Sequence, residues 1–226
     1  MKVVLASAFR ESSAAYIARY FTQAMSLRDT LAPRHSLRLR LVEGDSQNDT
    51  RGMLQKSAAL RHFDLDLGTC NHGGPWFGST EAPERMAALS KVGDVMMDGI
   101  LSSDDVVVYV ESDLVWTAAT LARLIGQVSE GRDIIAPLVM AGPSFYDIWG
   151  YRADGVRFSP FPPYHHRLRL DDLTEVDSVG SCFAMAAAVP LSGVRFGTGA
   201  LVEFCANART AGFRIFVDAR ERISHP

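Results

Sequence analysis

Two carboxylates bracket a serine at Glu111-Ser112-Asp113, immediately after the apolar run Val106-Val107-Val108-Tyr109-Val110. Five apolar residues without polar alternation suit a strand covered on both faces, as in the parallel core of an open α/β sheet. Strand side chains alternate, so Glu111 and Asp113 project to one side and Ser112 to the other, with the Cα atoms of the two acids about 6.6 Å apart. Carboxylates so placed can converge on a hard divalent cation, Mn²⁺ or Mg²⁺, of the kind that binds through one or two carboxylates together with substrate phosphates. Such a cation would neutralise a departing diphosphate. The competing role is capping of the next helix by Ser112 or Asp113, which accounts for one polar residue and leaves the other acid unexplained. His225 is a candidate third ligand, because imidazole is acceptable to Mn²⁺; its alternative is a surface histidine in a frayed terminus.

Other groups carry weaker signals. Glu43 and Asp45 open the polar turn Glu43-Gly44-Asp45-Ser46-Gln47-Asn48-Asp49-Thr50, placed where a carboxylate could accept from a base or a ribose, or where it simply meets water. Lys91 and Arg85 lie on the helix before the acidic strand and face either phosphate or solvent. Glu203 sits among apolar neighbours at a helix start, where it serves the helix dipole or acts as a base or ligand for an acceptor hydroxyl. Trp149 and Tyr151 are flat rings suited to stacking on an acceptor sugar, or to core packing. Asp171-Asp172 and the run His165 to Arg169 read as solvated loop charge.

The elements that must position these residues alternate. Val3–Ala6 reads as a strand, a helix capped by Ser12 or Ser13 runs to about Leu27, Leu37–Val42 is a strand, and Arg51 to Leu60 a helix. Phe63–Gly68 is a third strand. The glycine-rich loop from Asn71 to Ser79 then leads into a helix over about Pro83 to Leu101, with Met86, Leu89, Val92, Met96 and Ile100 on its buried face. After the acids, Thr117 to Val128 predicts a helix and Ile134–Val139 a strand. This alternation predicts a mainly parallel sheet between helical layers. From Ala141 to Asp172 the pattern fails in favour of glycine, proline and aromatics, and so long a loop in a compact domain points to function. Val176 to Val189 regains strand character, Leu201 to Ala211 is a helix stopped by Gly212, and Arg214–Val217 is a strand leading to His225.

With 226 residues the chain can bury a full core as one domain. A net charge of −3 supplies no concentrated positive field, which argues against nucleic acid as a partner. Cys70, Cys182 and Cys205 are odd in number and lack CxxC spacing, so reduced, buried thiols in a cytoplasmic protein are expected rather than disulfides or a zinc site. No run approaches the ~20 apolar residues of a membrane span. A Rossmann dinucleotide enzyme is disfavoured because the first strand leads into Ser7-Ala8-Phe9-Arg10 with no GxGxxG.

Taken together, the order of pieces resembles the nucleotide-sugar glycosyltransferases of GT-A fold, whose DxD motif ends a central strand; Glu111-Ser112-Asp113 looks like that motif with glutamate first. The fungal mannan-polymerase type α-mannosyltransferases, glycosyltransferase family 62, and related bacterial proteins are the nearest in pattern. The resemblance rests on EGDSQNDT, YVESDLVW, FYDIWGYRADGVRF, EVDSVGSCFAM and LVEFCANARTAGFRIFVDARERISH. It implies an α/β GT-A domain over residues 1–226, with a nucleotide-binding half (about 1–116) and an acceptor-side half (about 117–226). It implies that Asp113 and Glu111, with His225, hold a divalent metal bridging the diphosphate of a UDP- or GDP-sugar donor. Ala6, Ser7, Arg10, Glu43, Asp45, Lys91 and Ser112 fall where the nucleotide is held, and Glu203 matches an acid that deprotonates the acceptor in inverting members. Val92-Gly93-Asp94 departs from the Arg-Asn pair often found there. The expected activity is metal-dependent sugar transfer to a glycan hydroxyl, with non-catalytic binding of a nucleotide or nucleotide-sugar by the same fold as the alternative.

Overall fold

The computed structural model describes residues 1–78 and 80–226, so Ser79, the last residue of the glycine-rich loop, lies outside the described residues. The chain runs β1 (Lys2–Phe9), α1 (Ala14–Leu31), β2 (Ser36–Glu43), α2 (Thr50–Leu60), β3 (Asp64–Thr69), α3 (Pro83–Asp98), β4 (Val106–Val110) and α4 (Ala118–Ser129). It continues with β5 (Ile134–Ala141), β6 (Ser144–Phe145), β7 (Arg152–Ala153), β8 (Val156–Arg157), β9 (Leu173–Glu175), β10 (Cys182–Ala186), α5 (Ala188–Leu191), α6 (Ala200–Thr210) and β11 (Ile215–Ser224). Local chemistry explains the boundaries. Ser13 accepts from the Tyr16 N–H at the start of α1, Asp49 from Gly52 at α2, and Thr117 from Thr120 at α4. Pro83 opens α3, where a missing N–H costs nothing.

A nine-stranded sheet has the order β3-β2-β1-β4-β10-β5-β11-β9, with β6 paired to β5. Strands β1 to β5 and β11 run one way, while β6, β9 and β10 oppose them, so the sheet is mainly parallel. Helices α1, α2 and α4 bury Ile17, Tyr20, Leu54, Leu121 and Leu124 against one face. The other face is covered by α3 and α6 through Met96, Met97, Phe204 and Cys205. Strand β4 is buried along its whole length, as its unbroken apolar run requires.

All three cysteines are free and buried, as expected. Among the described residues no helix is long and apolar enough to cross a membrane. The final strand is much longer than the Arg214–Val217 reading, because it passes through a bulge between Asp218 and Arg222 and resumes pairing with β5. Its tail is pinned: Ser224 and Val115 exchange backbone hydrogen bonds at 2.8 Å each, and the His225 N–H donates to the Met140 carbonyl at 2.8 Å.

Candidate functional site

The carboxyl ends of β1, β2, β4, β5 and β11 meet at one edge of the sheet, and the antiparallel β10 begins there. Three adjoining hollows of about 450, 230 and 550 Å³ open along this edge. Arg85 lines all three, and Glu111 lines the first and third.

The acidic segment is not the continued strand that alternation predicts. β4 stops at Val110, and Glu111 to Leu114 form a turn closed by the Leu114 N–H donating to the Glu111 carbonyl at 3.2 Å. The turn is held from below. Ser112 Oγ donates to the Ala8 carbonyl (2.6 Å), Tyr16 Oη to Ser112 Oγ (3.3 Å), and Arg19 to the Asp113 carbonyl (2.8 Å). Ser112 is thereby committed to joining the ends of β1 and β4, although it still borders the third hollow with Glu111 and Asp113.

The two carboxylates are only partly matched. Asp113 Oδ1 is buried without a hydrogen-bond partner, and no described residue donates to the Glu111 carboxylate. Burial, then the charges of Asp113 and Asp147, push Glu111 up to about 8, against the pull of Arg85. His225 is not frayed: its ring stacks on Tyr146 with centroids 3.8 Å apart, and Nε2 lies 3.3 Å from Asp113 Oδ2. Among the described residues no group of three or more His, Cys, Asp and Glu side chains surrounds one point, so the structure pairs Asp113 with His225 but does not close a Glu111-Asp113-His225 triad. An oxygen buried without a donor beside a second carboxylate without a cation still fits a hard dication that takes its remaining ligands from phosphate and water.

Several expected residues lie elsewhere. Ala6 is mid-strand and fully buried, and Ser7 spends its hydroxyl on Tyr20 Oη and the Val110 carbonyl; the chain reaches the edge two residues later, where Ala8 and Arg10 line the hollows. Glu43 is buried at the end of β2. Asp45, in the left-handed region at φ +56°, accepts from the His72 and Gly73 N–H groups and so shapes the glycine-rich loop. That loop brings His72, Trp76 and Phe77 to the 230 Å³ hollow, and Arg10 fastens it through the Gly74 carbonyl (3.0 Å) while lying over the Trp76 ring at 5.4 Å. Lys91 is exposed and borders none of the hollows. Helical spacing gives the reason: Arg85, Leu89, Val92 and Met96 form the stripe of α3 that faces the edge, and Lys91 falls off it.

On the acceptor side, Tyr151 is fully buried, packs edge-on against Phe145 and donates to the Pro137 carbonyl at 2.6 Å, so core packing replaces the expected sugar contact. Trp149 is 46% exposed and lines the 450 Å³ cavity. Glu203 does not line it. Its carboxylate accepts from the N–H groups of Thr198 (2.8 Å) and Gly199 (2.6 Å), bonds that hold it below the usual carboxylate range and make it a poor base.

Asp147, which the sequence reading passes over, is the buried acid that does line this cavity. Its Oδ2 accepts from both the N–H (2.5 Å) and Oγ (2.7 Å) of Ser181. Burial pushes its carboxyl up more strongly than these bonds pull it down. A Cβ at Gly180 would stand 2.0 Å from Asp147 Oδ2, so glycine there is what lets the carboxylate sit. The signal in the sequence was an acid flanked by Phe145, Tyr146, Ile148 and Trp149 within the long loop.

This architecture is the GT-A fold of glycosyltransferases. The chain superposes on S. aureus TarS (residues 1–349) at a TM-score of 0.60, with 14% identity over 99% of this chain and 60% of that one. The mannosyltransferase PcManGT from Pyrobaculum calidifontis, in complex with GDP-Man and Mn²⁺, matches at 0.59, with 13% identity over 98% and 56%. Glucosyl-3-phosphoglycerate synthase from Mycobacterium tuberculosis, in complex with Mg²⁺ and UDP, matches at 0.51, with 14% identity over 100% and 71%. The chain thus spans about three-fifths of the length of the first two. No family model and no curated protein sequence matches it.

Proposed function

We propose that the chain transfers a sugar from a UDP- or GDP-linked donor to a glycan hydroxyl with the help of Mn²⁺ or Mg²⁺. The observation that carries this reading is the pair of carboxylates at the carboxyl edge of a GT-A sheet, Asp113 with one buried oxygen unpartnered and Glu111 beside it on the same hollow. Solved proteins of the same fold hold GDP-Man with Mn²⁺ and UDP with Mg²⁺. Asp113 and Glu111 would hold the cation, with His225 beside Asp113; bound there, it would offset charge on the departing diphosphate. Arg85 adds a fixed positive charge along the same edge. Arg10, His72 and Trp76 offer the base a flat, partly apolar slot. Asp147 takes the place expected of Glu203 as the acid facing the acceptor cavity, where it can accept from a hydroxyl and orient it.

Binding without transfer is the second reading, favoured by the commitment of Glu203 to Thr198 and Gly199. Calorimetric titration of UDP and GDP, with and without Mn²⁺, tests the donor site. Binding that depends on the metal and vanishes in Asp113→Ala is the expected result; equal affinity in that variant refutes the assignment. Release of free sugar or of a glycoside from the matching donor then separates transferase from binding protein.

A further inference from the structure

Arg152 opens the β7–β8 hairpin on the wall of the 450 Å³ cavity. Its backbone is fixed: the N–H donates to the Ser178 carbonyl (3.2 Å), and its own carbonyl accepts from Asp177 (2.7 Å). Its guanidinium makes no hydrogen bond and no ion pair with any described residue, and Nη1 is closed off from solvent. The acids around it are engaged elsewhere. Glu81 pairs with Arg157 (2.7 Å), Asp177 with Arg209 (2.9 Å), and Asp147 with Ser181. Burial and the neighbouring Arg157 pull the Arg152 pKa down, which is the mark of a cation held where its charge is not compensated. A half-buried guanidinium without an acceptor is costly, and its planar fork matches carboxylates and phosphates.

We propose that this cavity receives an acceptor sugar bearing an acidic substituent, a carboxylate or a phosphate ester, and that the Arg152 guanidinium binds that substituent. The inference rests on the glycosyltransferase reading of the cleft and names the class of its acceptor. Trp149, in the same cavity, offers a ring face for the sugar; the cavity's other cation, Arg85, donates to the Thr80 carbonyl (3.1 Å) and also lines the two neighbouring hollows, which leaves Arg152 as the unengaged guanidinium of this wall.

The test is calorimetric titration with methyl glucoside, methyl glucuronide and glucose 6-phosphate, with and without saturating Mn²⁺ and nucleotide, on wild type, Arg152→Gln and Arg152→Lys. At least one anionic sugar should bind wild type about tenfold or more tightly than the neutral glycoside, as a charge-assisted bond to a fixed fork implies. The preference should collapse in Arg152→Gln and survive in part in Arg152→Lys, and which anion binds distinguishes carboxylate from phosphate. Because the side chain bonds nothing in the protein and its charge is uncompensated, neither variant should melt below wild type. Equal binding of neutral and anionic sugars, no binding of any of them, or a preference that persists in Arg152→Gln overturns the proposal. Nucleotide titration without sugar reports separately on the donor reading: a protein that binds no nucleotide yet selects anionic sugars through Arg152 would refute that reading and keep this one.

Discussion

Replacing Ser181 by alanine removes one of the two donors that reach Asp147 Oδ2, the hydroxyl at 2.7 Å, and leaves the N–H in place. Both residues are buried at the wall of the 450 Å³ cavity, so the alanine leaves the carboxylate without a side-chain donor from the protein. A hydrogen bond to an ionised group contributes about 1.5–3 kcal/mol, against about 0.5–1.5 for a neutral pair. The difference, about 1–1.5 kcal/mol, is lost by the ionised form beyond the neutral one, so Asp147 is pushed up further. The sign of the pH dependence follows. Asp147 already has a raised folded pKa, so its stability contribution is full below the ordinary aspartate value and declines as pH rises through the folded value. Ser181→Ala lifts the folded value further and deepens that decline, so the gap between wild type and variant should widen from pH 5 to pH 9. With an m-value of about 3 kcal/mol/M in urea, the midpoint should drop by about 0.5–1 M at the alkaline end and less at the acid end. A gap that is constant or narrows with pH would refute the placement of a buried, ionisable Asp147 against Ser181.

Tyr151→Phe should cost about 1 kcal/mol by stranding the Pro137 carbonyl, with transfer kinetics unchanged; a loss of activity without a loss of stability would return Tyr151 to the acceptor site. Asp104 is pushed up by burial but pulled below its ordinary value by Arg38 and the Leu101 N–H, so its stabilisation holds above the ordinary aspartate pKa and fades as pH falls through the lowered one. Asp104→Asn should therefore cost about 3 kcal/mol near neutrality and progressively less as pH falls below the ordinary aspartate value, read by urea melts at pH 7 and pH 3. Arg10→Ala frees the loop at Gly74 and should weaken nucleotide binding about tenfold. Nucleotide should change tryptophan emission in wild type and not in Trp76→Phe; an unchanged response in that variant would remove Trp76 from the base slot.

Alternation of apolar runs with helical stripes was enough to read β1 to β5 and their helices, because each buries one face against the same sheet and carries that burial in its residue spacing. Two things were not legible. The antiparallel β10 between β4 and β5 leaves no mark on its own sequence, since Cys182 to Ala186 is as apolar as any parallel core strand. The length of β11 was hidden by charged residues, Asp218 to Arg222, that belong to a bulge whose acid is neutralised by Arg220. The strand-end pattern placed Glu111 and Asp113, and the family resemblance Arg10, at the sheet edge that the third hollow borders. Composition left Tyr151 and Glu203 open between two roles; the Pro137 carbonyl, fourteen residues away, decides the first, and the conformation of the Thr198–Gly199 turn, close in sequence but not readable as a donor pair, decides the second. Asp147 was missed for the same reason, its meaning depending on Ser181.

The reversed course of β10 bears on the order in which a growing chain can become competent. Strands β1 to β4 and their helices can pack as they emerge from the ribosome, since each neighbour in that half of the sheet is local or already made. The edge they leave is unfinished. The Glu111 N–H has its acceptor only when Ser181 arrives, and Asp113 meets His225 only after β11 has threaded along β5. Contacts so far apart in sequence close late and slowly. A nascent chain halted before Ser181 would therefore hold the groove beside β1 without its finished acidic edge, which should close in a single step once β11 has paired with β5.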